Sequence, residues 1–394
     1  MEIIFLVAYI FALLLQIFFY LIAFFSLLKA KTASNFIDNN KKFIDNKNIF
    51  GNNENFIYNK KKFTFVSIII CARNEATNLK NHLPNFLRQQ YQGNWELIVV
   101  DDDSGDDSLA ILADFKQQYP ERLRVLALKN KSKAGKKTAL KAGIIAARGE
   151  WILLSDADCC PNSLNWLNLM IQKGIENSKR EIVLGFSPYR GKNSLLSAWI
   201  GYETALTGLQ YLSFAAWGRA YMGVGRNLLY KKQLFLDKNS FDEDTLASGD
   251  DDLFINKASN SQNTSFCLHK DSFCISNPPQ SWTALYGQKK RHFAAGNFYP
   301  NGAKVKLFIL AQSHFWAHTG LLFFLTFGSI NWAIFSLWLL RNLVVWGLMG
   351  YICKRIFGYK KNLSLLPFFD LAVPIYYCIF ALLFTNSQKK IEWK

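Results

Sequence analysis

Two apolar regions, one at each end of the chain, constrain the fold more than any other feature of the sequence. Residues 3–28 form an almost unbroken apolar run, and residues 307–384 consist mostly of Leu, Phe, Ile, Trp and Tyr. A helix rises about 1.5 Å per residue, so about 20 apolar residues are enough to cross the hydrocarbon layer of a bilayer. Both ends are therefore predicted to lie in a membrane.

The first apolar run is predicted to be a retained membrane span. A cleaved signal peptide has a shorter apolar region, a basic start and small residues at the cleavage site. This chain begins with Met-Glu and places Lys29 and Lys31 after the run. Because positive charges mark the cytoplasmic end of a span, we expect the segment after Lys31 to be cytoplasmic and the amino terminus to lie outside.

The carboxy-terminal apolar region divides into two or three helices, which gives three or four spans in total. Basic pairs at 354–355 and 360–361 separate apolar stretches near 307–328, 331–352 and 366–384. The first stretch contains His314 and His318 and could instead lie in the membrane interface. The predicted parts of the chain are an anchor at 1–30, a polar linker at 31–62, a cytoplasmic domain at 63–303, a membrane region at 304–386 and a tail at 387–394.

Charge and cysteine content exclude two classes of protein. The net charge is +17, but the lysines are spread through the chain without interleaved aromatic residues, so nucleic-acid binding is not expected. Anionic lipid headgroups and phosphate-bearing substrates are the expected partners. The seven cysteines are an odd number and lack paired metal-ligand spacing, which indicates a reducing compartment rather than a disulfide framework.

From Phe63 onward, short apolar runs alternate with helical stretches, which predicts a parallel βα-type sheet. Strands are predicted at 66–71, 95–100, 124–128 and 151–154, and helices at 75–90, 108–118 and 136–147. In open sheets of this kind, ligands bind outside the carboxyl ends of the strands. The segments expected around one crevice are therefore 71–75, 101–104 and 155–158.

Acidic residues in these segments indicate a cation site. Asp156 and Asp158 follow a predicted strand, and the acids at 101–103 follow another. The first pair alone is as consistent with a solvated turn as with a site. Together, however, the carboxylates would repel one another unless a cation or a donor-rich ligand lay among them. Carboxylates hold hard cations that neutralise a leaving diphosphate, so Asp156 and Asp158 are predicted to bind Mg²⁺ or Mn²⁺.

Three further segments are candidates for the same chemistry. Lys136 begins a helix whose amino end could approach phosphates. The acids at 250–252 begin a second helical stretch and exceed what helix capping requires, so one of them is a candidate general base for an acceptor hydroxyl. The two glycines of residues 223–227 permit close backbone approach, either to shape an acceptor pocket or to make a plain tight turn.

The order of these motifs resembles glycosyltransferase family 2, in particular its membrane-bound bacterial branch. The segments are SIIICARNE, VVDDDSGD, GKKTALKAG and GEWILLSDAD, followed by GDDDL and QKKRH, and they cover about residues 65–295. The resemblance implies an α/β fold: a Rossmann-like, nucleotide-sugar-binding glycosyltransferase domain of the A type, with transmembrane helices at both ends. It also implies a place in the bacterial inner membrane, with the catalytic domain in the cytoplasm.

The resemblance implies roles for the residues that bind the nucleotide sugar. Cys71, Arg73 and Glu75 would line the nucleotide pocket, and Asp102 would meet a uracil-type base edge. Asp156 and Asp158 would form the diphosphate–metal motif, with Asp158 the more direct ligand.

The resemblance also implies a general base and an acceptor motif. Asp250 matches the base, but Gly249 stands where Glu is usual, which makes Asp251 an alternative base. Gln288 and Arg291 match a Gln-x-x-Arg-Trp motif that borders the acceptor and the diphosphate. His292 replaces its Trp, which argues against processive polymer synthesis.

The sequence therefore predicts an inverting glycosyltransferase with a nucleotide diphosphate sugar as donor and a lipid or lipid-linked glycan as acceptor. The alternatives are a processive polysaccharide synthase and a non-catalytic nucleotide-sugar-binding membrane partner. Ionisable groups at membrane depth usually have partners, so Arg341 is predicted to approach Asp370 or a lipid phosphate. His314 and His318 are expected to make hydrogen bonds rather than to bind a metal.

Overall fold

The middle of the chain folds around a mixed sheet, whereas the two ends are helical. The structure, a computed structural model, describes residues 2–47, 63–129, 135–238, 250–296, 298–327, 332–359 and 361–384; within these ranges, the side chains of residues 2, 33–47, 250, 294 and 381–384 are not described. The described residues form two units. The sheet unit comprises those in Leu27–Ser187 and Ala215–Asn277, and the helical unit those in Met1–Ser26, Pro188–Phe214 and Pro278–Ile391.

Nine strands belong to the sheet unit. They are β1 (Val66–Ala72), β2 (Trp95–Asp101), β3 (Leu123–Ala127), β4 (Trp151–Asp156), β5 (Cys159–Pro161), β6 (Ile182–Leu184), β7 (Leu228–Lys231), β8 (Thr264–Phe266) and β9 (Cys274–Ser276). Seven of them form one sheet in the order β3-β2-β1-β4-β7-β6-β8, and β5 pairs with β9. The pairs β1–β2, β2–β3 and β1–β4 are parallel, whereas β7 is antiparallel to both β4 and β6.

Twelve α-helices accompany these strands in the described residues. They are α1 (Glu2–Lys47), α2 (Ala76–Leu87), α3 (Ser108–Gln118), α4 (Lys136–Ala146), α5 (Trp166–Ile175), α6 (Leu195–Ala216), α7 (Lys232–Asp237), α8 (Asp250–Ala258), α9 (Trp282–Gly296), α10 (Asn301–Phe327), α11 (Trp332–Tyr351) and α12 (Leu366–Phe384).

The parallel half of the sheet agrees with the sequence prediction, and the rest corrects it. All seven residues of β1 and of β2 are buried, as expected for parallel strands covered on both faces. The prediction of an entirely parallel sheet was incomplete, because β6, β7 and β8 turn it into a mixed sheet. These strands have only three or four residues, too few for a periodic pattern.

A buried asparagine connects the sheet to the loops beside it. Asn227 has no exposed surface. Its Oδ1 accepts a hydrogen bond from Trp166 Nε1 at 2.9 Å, and its Nδ2 donates to the carbonyl oxygens of Phe186 and Ser272 at 3.0 and 2.8 Å. A buried amide with its hydrogen bonds made fixes the positions of the groups that it contacts.

Four of the described helices are long and apolar enough to cross a membrane. The candidate spans are Ile3–Thr32, Asn301–Phe327, Trp332–Ile356 and Leu363–Phe380, the higher of the two predicted counts. Helix α1 continues to Lys47, through the first part of the segment predicted as a polar linker. That part contains neither Pro nor Gly, so nothing in it interrupts a helix. Residues 48–62 lie outside the described residues.

An ion pair lies among the apolar helices of the helical unit. The guanidinium of Arg341 in α11 donates to both carboxylate oxygens of Asp370 in α12, with Nη2 3.1 Å from Oδ1. Gln16 in α1 accepts a further hydrogen bond from Arg341 Nε. The predicted approach of Arg341 to Asp370 is confirmed, and the lipid-phosphate alternative is wrong for a guanidinium that has no exposed surface.

The two histidines of α10 contact protein groups in the same region. His314 Nε2 lies 3.3 Å from the hydroxyl of Tyr20, and its Nδ1 lies 3.7 Å from Asp370. His318 Nε2 lies 3.4 Å from the other carboxylate oxygen of Asp370. A hydrogen bond with a protein side chain is therefore available to His314, as the sequence predicted.

Candidate active site

The three segments predicted to surround one crevice do meet at the carboxyl ends of neighbouring strands. In the sheet register, Ala72 lies opposite Asp101, and Cys71 lies opposite Asp156. β4 extends to Asp156, two residues beyond the predicted end of the strand, so this carboxylate projects from the strand itself. The parallel arrangement of β1, β2 and β4 thus brings the terminal acids of β2 and β4, Asp101 and Asp156, to the edge where β1 also ends.

Hydrogen bonds join the loop after β1 to the loop after β2. Asn74 and Asp103 adopt left-handed conformations, with φ of 56° and 62°, which these residue types tolerate better than most. The backbone N–H of Asn74 donates to Ser104 Oγ at 2.9 Å, and that of Gly105 donates to Asn74 Oδ1 at 2.8 Å. These mutual bonds hold the two loops in a fixed relation beside the pocket.

The residues predicted to bind the nucleotide differ in exposure. Cys71 lines the pocket, and Arg73 and Glu75 are half-buried. The Asp102 side chain has no exposed surface, and its backbone N–H donates to the carbonyl of Ala72 at 2.8 Å. The role of Asp102 at a base edge stays a prediction.

The negative charges of the two predicted metal ligands act on the carboxyl of Glu75. Burial raises the pKa of the Glu75 carboxyl, and the negative charges of Asp158 and Asp156 raise it further, against a hydrogen bond from Asn78. A carboxyl close to other carboxylates is held less easily in its charged form. Glu75 therefore belongs to the same acidic group as the two predicted metal ligands.

Asp156, Asp158 and Cys159 form a group of possible metal ligands. One donor atom from each lies within 4.8 Å of the other two. Asp158 is held from two sides: its Oδ1 accepts from the Cys159 thiol and its Oδ2 from the Ser276 hydroxyl, both at 3.2 Å. The pairing of β5 with β9 sets Ser276 opposite Cys159, which explains this arrangement.

The donor set fits a hard divalent cation. Mg²⁺ and Mn²⁺ prefer carboxylate oxygens, which Asp156 and Asp158 supply from partly exposed positions. The pKa of the Cys159 thiol lies well above its usual range. Burial is the largest cause of this increase, and a hydrogen bond with Cys274 is the second. Cys159 is therefore a protonated hydrogen-bond donor to Asp158 in this structure.

Lys136 lies inside the pocket beside Asp156. Its Nζ is 2.6 Å from Asp156 Oδ1, and both side chains are about one-quarter exposed. Against the effect of burial, the charges of Asp156 and Asp251 raise the pKa of Lys136 above its usual range. The residues that line the pocket are Ile69, Cys71, Lys136, Leu140, Leu154, Ser155, Asp156, Gly225 and Asp251.

Of the two candidate bases, Asp251 is the one that the structure describes in the pocket. Its carboxylate packs against Gly225, where a Cβ atom would overlap it. Glycine at position 225 therefore leaves room for this acid. The backbone of Asp250 begins α8, but its side chain and residues 239–249, including Gly249, lie outside the described residues.

Gln288, Arg291 and His292 belong to α9 in the helical unit. Gln288 Nε2 donates to the hydroxyl of Tyr189 at 2.9 Å. Burial lowers the pKa of the Arg291 guanidinium, and Tyr189 acts in the opposite direction. Gln288 and Arg291 thus share Tyr189 as a neighbour, whereas His292 is exposed.

Several residues at the site were not identified from the sequence. Ser276 donates a hydrogen bond to Asp158, and the charge of Asp158 acts on the imidazole of His82. Burial lowers the pKa of His82, and the charge of Asp158 opposes this effect. His82 lies within an ordinary amphipathic helix and Ser276 at the end of a three-residue strand, so neither stands out in the sequence.

Residues 67–235 match the protein family described as glycosyl transferase family 2. The matched residues contain all but the first residue of β1, the strands β2 to β4, the group of possible metal ligands, Lys136 and Gly225. Residues 67–235 are a family 2 glycosyltransferase domain. Within the described residues, this glycosyltransferase domain supplies every group that lines the pocket except Asp251.

The chain is similar to parts of several curated relatives. It is 30% identical over 130 residues to dolichyl-phosphate beta-glucosyltransferase ALG5D of Trichomonas vaginalis, across 31% of this chain and 39% of the relative. It is 34% identical over 95 residues to beta-monoglucosyldiacylglycerol synthase of Trichormus variabilis, across 24% and 20%. The chain is also 25% identical over 240 residues to the probable glycosyltransferase YdaM of Bacillus subtilis, across 59% and 55%. It thus spans from one-fifth to just over half of these relatives' lengths.

One solved structure shares the fold across most of the chain. It is the mannosyltransferase PcManGT from Pyrobaculum calidifontis, in complex with GDP-Man and Mn²⁺. The TM-score is 0.51 and the sequence identity is 15%, over 93% of this chain and all of that one. The predicted fold class, an α/β glycosyltransferase fold of the A type, is confirmed by this similarity together with the observed sheet.

Proposed function

We propose that the chain is an inverting glycosyltransferase that moves a sugar from a nucleotide diphosphate sugar to a hydroxyl of a lipid or lipid-linked glycan. The observation that carries the proposal is the pocket at the strand ends. A metal-motif carboxylate, Asp156, and a second acid, Asp251, line the same pocket, and Lys136 interacts with both. Sugar transfer needs a group that stabilises the leaving diphosphate and a group that accepts a proton, and this pocket offers both.

The donor side of the reaction is assigned to the metal motif and the adjoining loops. Asp156 and Asp158 would hold Mg²⁺ or Mn²⁺, which would neutralise negative charge on the diphosphate. Support comes from their shared donor geometry and from the hydrogen bonds that orient Asp158. By resemblance, the nucleotide is assigned to Cys71, Arg73, Glu75 and Asp102.

The acceptor side is assigned to one of two neighbouring aspartates. The carboxylate takes the proton of the acceptor hydroxyl, whose oxygen then forms a bond to the anomeric carbon. The bond from that carbon to the diphosphate oxygen breaks on the opposite face, so the configuration inverts and the nucleoside diphosphate leaves. The position of Asp251 in the pocket supports it as the base, with Asp250 as the alternative. Gln288, Arg291 and His292 are assigned to the acceptor or the diphosphate by the resemblance of their motif.

Two observations favour a membrane lipid as the acceptor. In the part of the chain that the structure describes, four helices are capable of crossing a bilayer. Two relatives of the chain are named for dolichyl phosphate and for glucosyldiacylglycerol. By resemblance we assign the protein to the bacterial inner membrane. We propose that the domain is cytoplasmic, because Lys29 and Lys31 follow the first candidate span.

The proposal is tested with full-length protein in lipid bilayers. A panel of nucleotide sugars is screened for release of the nucleoside diphosphate, with added membrane lipid extract and either Mn²⁺ or chelator. We expect one nucleotide sugar to give release of the nucleoside diphosphate, and this release should require both the cation and the lipid extract. The product should be a glycosylated lipid in which the anomeric configuration of the sugar is inverted. Tight donor binding without transfer to any lipid would instead support the non-catalytic alternative.

Two variants assign the roles within that assay. Asp251→Asn should reduce transfer about 100-fold or more while leaving Mn²⁺-dependent nucleotide binding intact, because a general base contributes about 10²–10⁴-fold. Asp250→Asn is the matched substitution at the neighbouring acid. If transfer persists in both variants, neither aspartate is the base.

A further inference from the structure

Lys136 connects the two acids of the pocket. Its ammonium lies 2.6 Å from Asp156 Oδ1, at hydrogen-bond distance. Asp251 lines the same pocket and also interacts electrostatically with Lys136. The ammonium is thus the cationic partner of Asp156, one of the two carboxylates assigned to the divalent cation.

We propose that Lys136 is an internal counter-cation, which competes with a divalent cation for Asp156 and releases it when a nucleotide diphosphate binds. This inference rests on the proposed function, because it takes Asp156 and Asp158 as the cation site. It adds a property that the metal motif alone does not imply: the affinity for the cation depends on whether a nucleotide is present.

Repulsion between like charges is the physical reason for competition. A divalent cation held by Asp156 would be a close neighbour of the Lys136 ammonium, in a pocket that is only partly exposed to solvent. Like charges at short distance in such surroundings repel by more than they do in water. The ammonium must therefore move from Asp156, or the cation must bind weakly.

A nucleotide diphosphate supplies the alternative partner. Its phosphate oxygens are strong acceptors for an ammonium group, and they are also ligands for the cation. When it binds, Lys136 can exchange the Asp156 carboxylate for a phosphate, which removes the competition. Cation and nucleotide should consequently each increase the affinity for the other, by the same factor.

The position of Lys136 permits such a movement. It is the first residue of α4, and its long side chain carries the charge into the pocket from the end of that helix. Asp156, by contrast, is fixed at the end of β4 within the sheet. The lysine is therefore the mobile member of the pair, and the carboxylate is the stationary one.

The test is titration of the full-length protein in lipid with Mn²⁺ alone, followed by electron paramagnetic resonance of free Mn²⁺. Lys136→Met should bind Mn²⁺ at least about tenfold more tightly than the unmodified protein, because a nearby like charge has been removed. Lys136→Arg keeps the charge and should not show this gain. The control Lys141→Met loses the same charge from an exposed position on the same helix and should bind as the unmodified protein does.

A second titration measures the coupling to nucleotide. With saturating UDP or GDP, whichever binds, the unmodified protein should bind Mn²⁺ at least about tenfold more tightly than without it, and Lys136→Met should show a smaller increase. Asp158→Ala should remove the Mn²⁺ binding that is measured in each background. Matching thermal unfolding curves establish that the variants are folded.

Three outcomes overturn the inference. If Lys136→Met binds Mn²⁺ no more tightly than the unmodified protein, Lys136 does not compete, although the proposed function stands. If the nucleotide fails to strengthen Mn²⁺ binding to the unmodified protein, the inference is wrong whatever the variants show. If neither the unmodified protein nor Lys136→Met binds Mn²⁺, both the inference and the proposed cation site fail.

Discussion

The carboxylate of Asp251 occupies the space that a side chain at position 225 would need. A Cβ atom on Gly225 would overlap this carboxylate, so Asp251 has room for its position in the pocket because residue 225 is glycine. Gly225 lies three residues before the start of β7, which pairs with β4. The position of Asp251, the proposed base, therefore depends on the antiparallel extension of the sheet as well as on its parallel half.

Gly225→Ala should displace Asp251 and reduce transfer. We expect a loss of about 10- to 100-fold in kcat, because a general base contributes about 10²–10⁴-fold and a displaced base retains part of its effect. Nucleotide binding with Mn²⁺ should change little. Gly302→Ala is the control, since a Cβ at that position has open space around it. A Gly225→Ala variant of unchanged kcat would show that Asp251 is not needed at this position.

Ser276→Ala should weaken cation binding without disrupting the fold. The Ser276 hydroxyl is one of two donors that orient Asp158. Loss of a group that orients a metal ligand costs about 10- to 100-fold in affinity, so the Kd for Mn²⁺ in the presence of nucleotide should rise by about tenfold. Ser178→Ala, at an exposed position, is the matched control. An unchanged Kd would mean either that Asp158 is not a direct ligand of the cation or that Ser276 does not orient it.

The carboxylate of Glu96 should make the free energy of unfolding of the sheet unit decrease as the pH falls into the acid range. Glu96 is buried and accepts hydrogen bonds from Arg124, the Arg148 backbone and Ser67. Against the effect of burial, these bonds lower the pKa of its carboxyl. A lowered pKa means that the stabilisation is complete above the unfolded-state pKa, and is lost as pH falls through the folded-state pKa.

Glu96→Gln should accordingly lower the midpoint of thermal unfolding at neutral pH. The expected loss is about 2–3 kcal/mol, the usual cost of removing a charged partner from buried hydrogen bonds. The difference from the unmodified protein should shrink below about pH 4. Exposed Glu176→Gln is the control. A difference that stays constant down to low pH would contradict the assignment.

Removal of one member of the Arg341–Asp370 pair should strongly destabilise the helical unit. Neither side chain has appreciable exposure, and each would be left as an unpaired buried charge by removal of the other. Asp370→Leu alone should destabilise the helical unit by about 3–5 kcal/mol, whereas adding Arg341→Met should restore much of the loss. Thermal unfolding of the four proteins of this cycle gives the coupling. Additive effects in the double variant would mean that the pair makes no joint contribution.

The parts of the fold that depend on local patterns were predictable from the sequence. β1, β2 and β4 are apolar runs that were predicted to be parallel strands, with their carboxyl ends around one crevice, and the sheet confirms this by setting Cys71 opposite Asp156. The Arg341–Asp370 pair followed from the cost of charge at membrane depth. Each of these predictions needed only a segment and a general rule.

The parts that depend on contacts between distant segments were not predictable. The resemblance matched Asp250 to the base and left Asp251 as the alternative, whereas Asp251 is the acid that the structure describes in the pocket. Its place there depends on the space beside Gly225, a contact between distant segments. The hydrogen bond from Ser276 to Asp158 depends on the pairing of two three-residue strands. The ion pair of Lys136 with Asp156 depends on where α4 begins relative to the end of β4, which the sequence does not specify.

The central claim, sugar transfer at the Asp156–Asp251 pocket with Asp251 as the general base, is tested most directly by one comparison in lipid bilayers. Nucleoside diphosphate release from the preferred nucleotide sugar is measured for the unmodified protein and for Asp251→Asn, with Mn²⁺ and membrane lipid extract present. We predict rapid, lipid-dependent release by the first protein and at least about 100-fold slower release by the second, with equal nucleotide affinity. Equal rates of lipid-dependent release from the two proteins would contradict the claim.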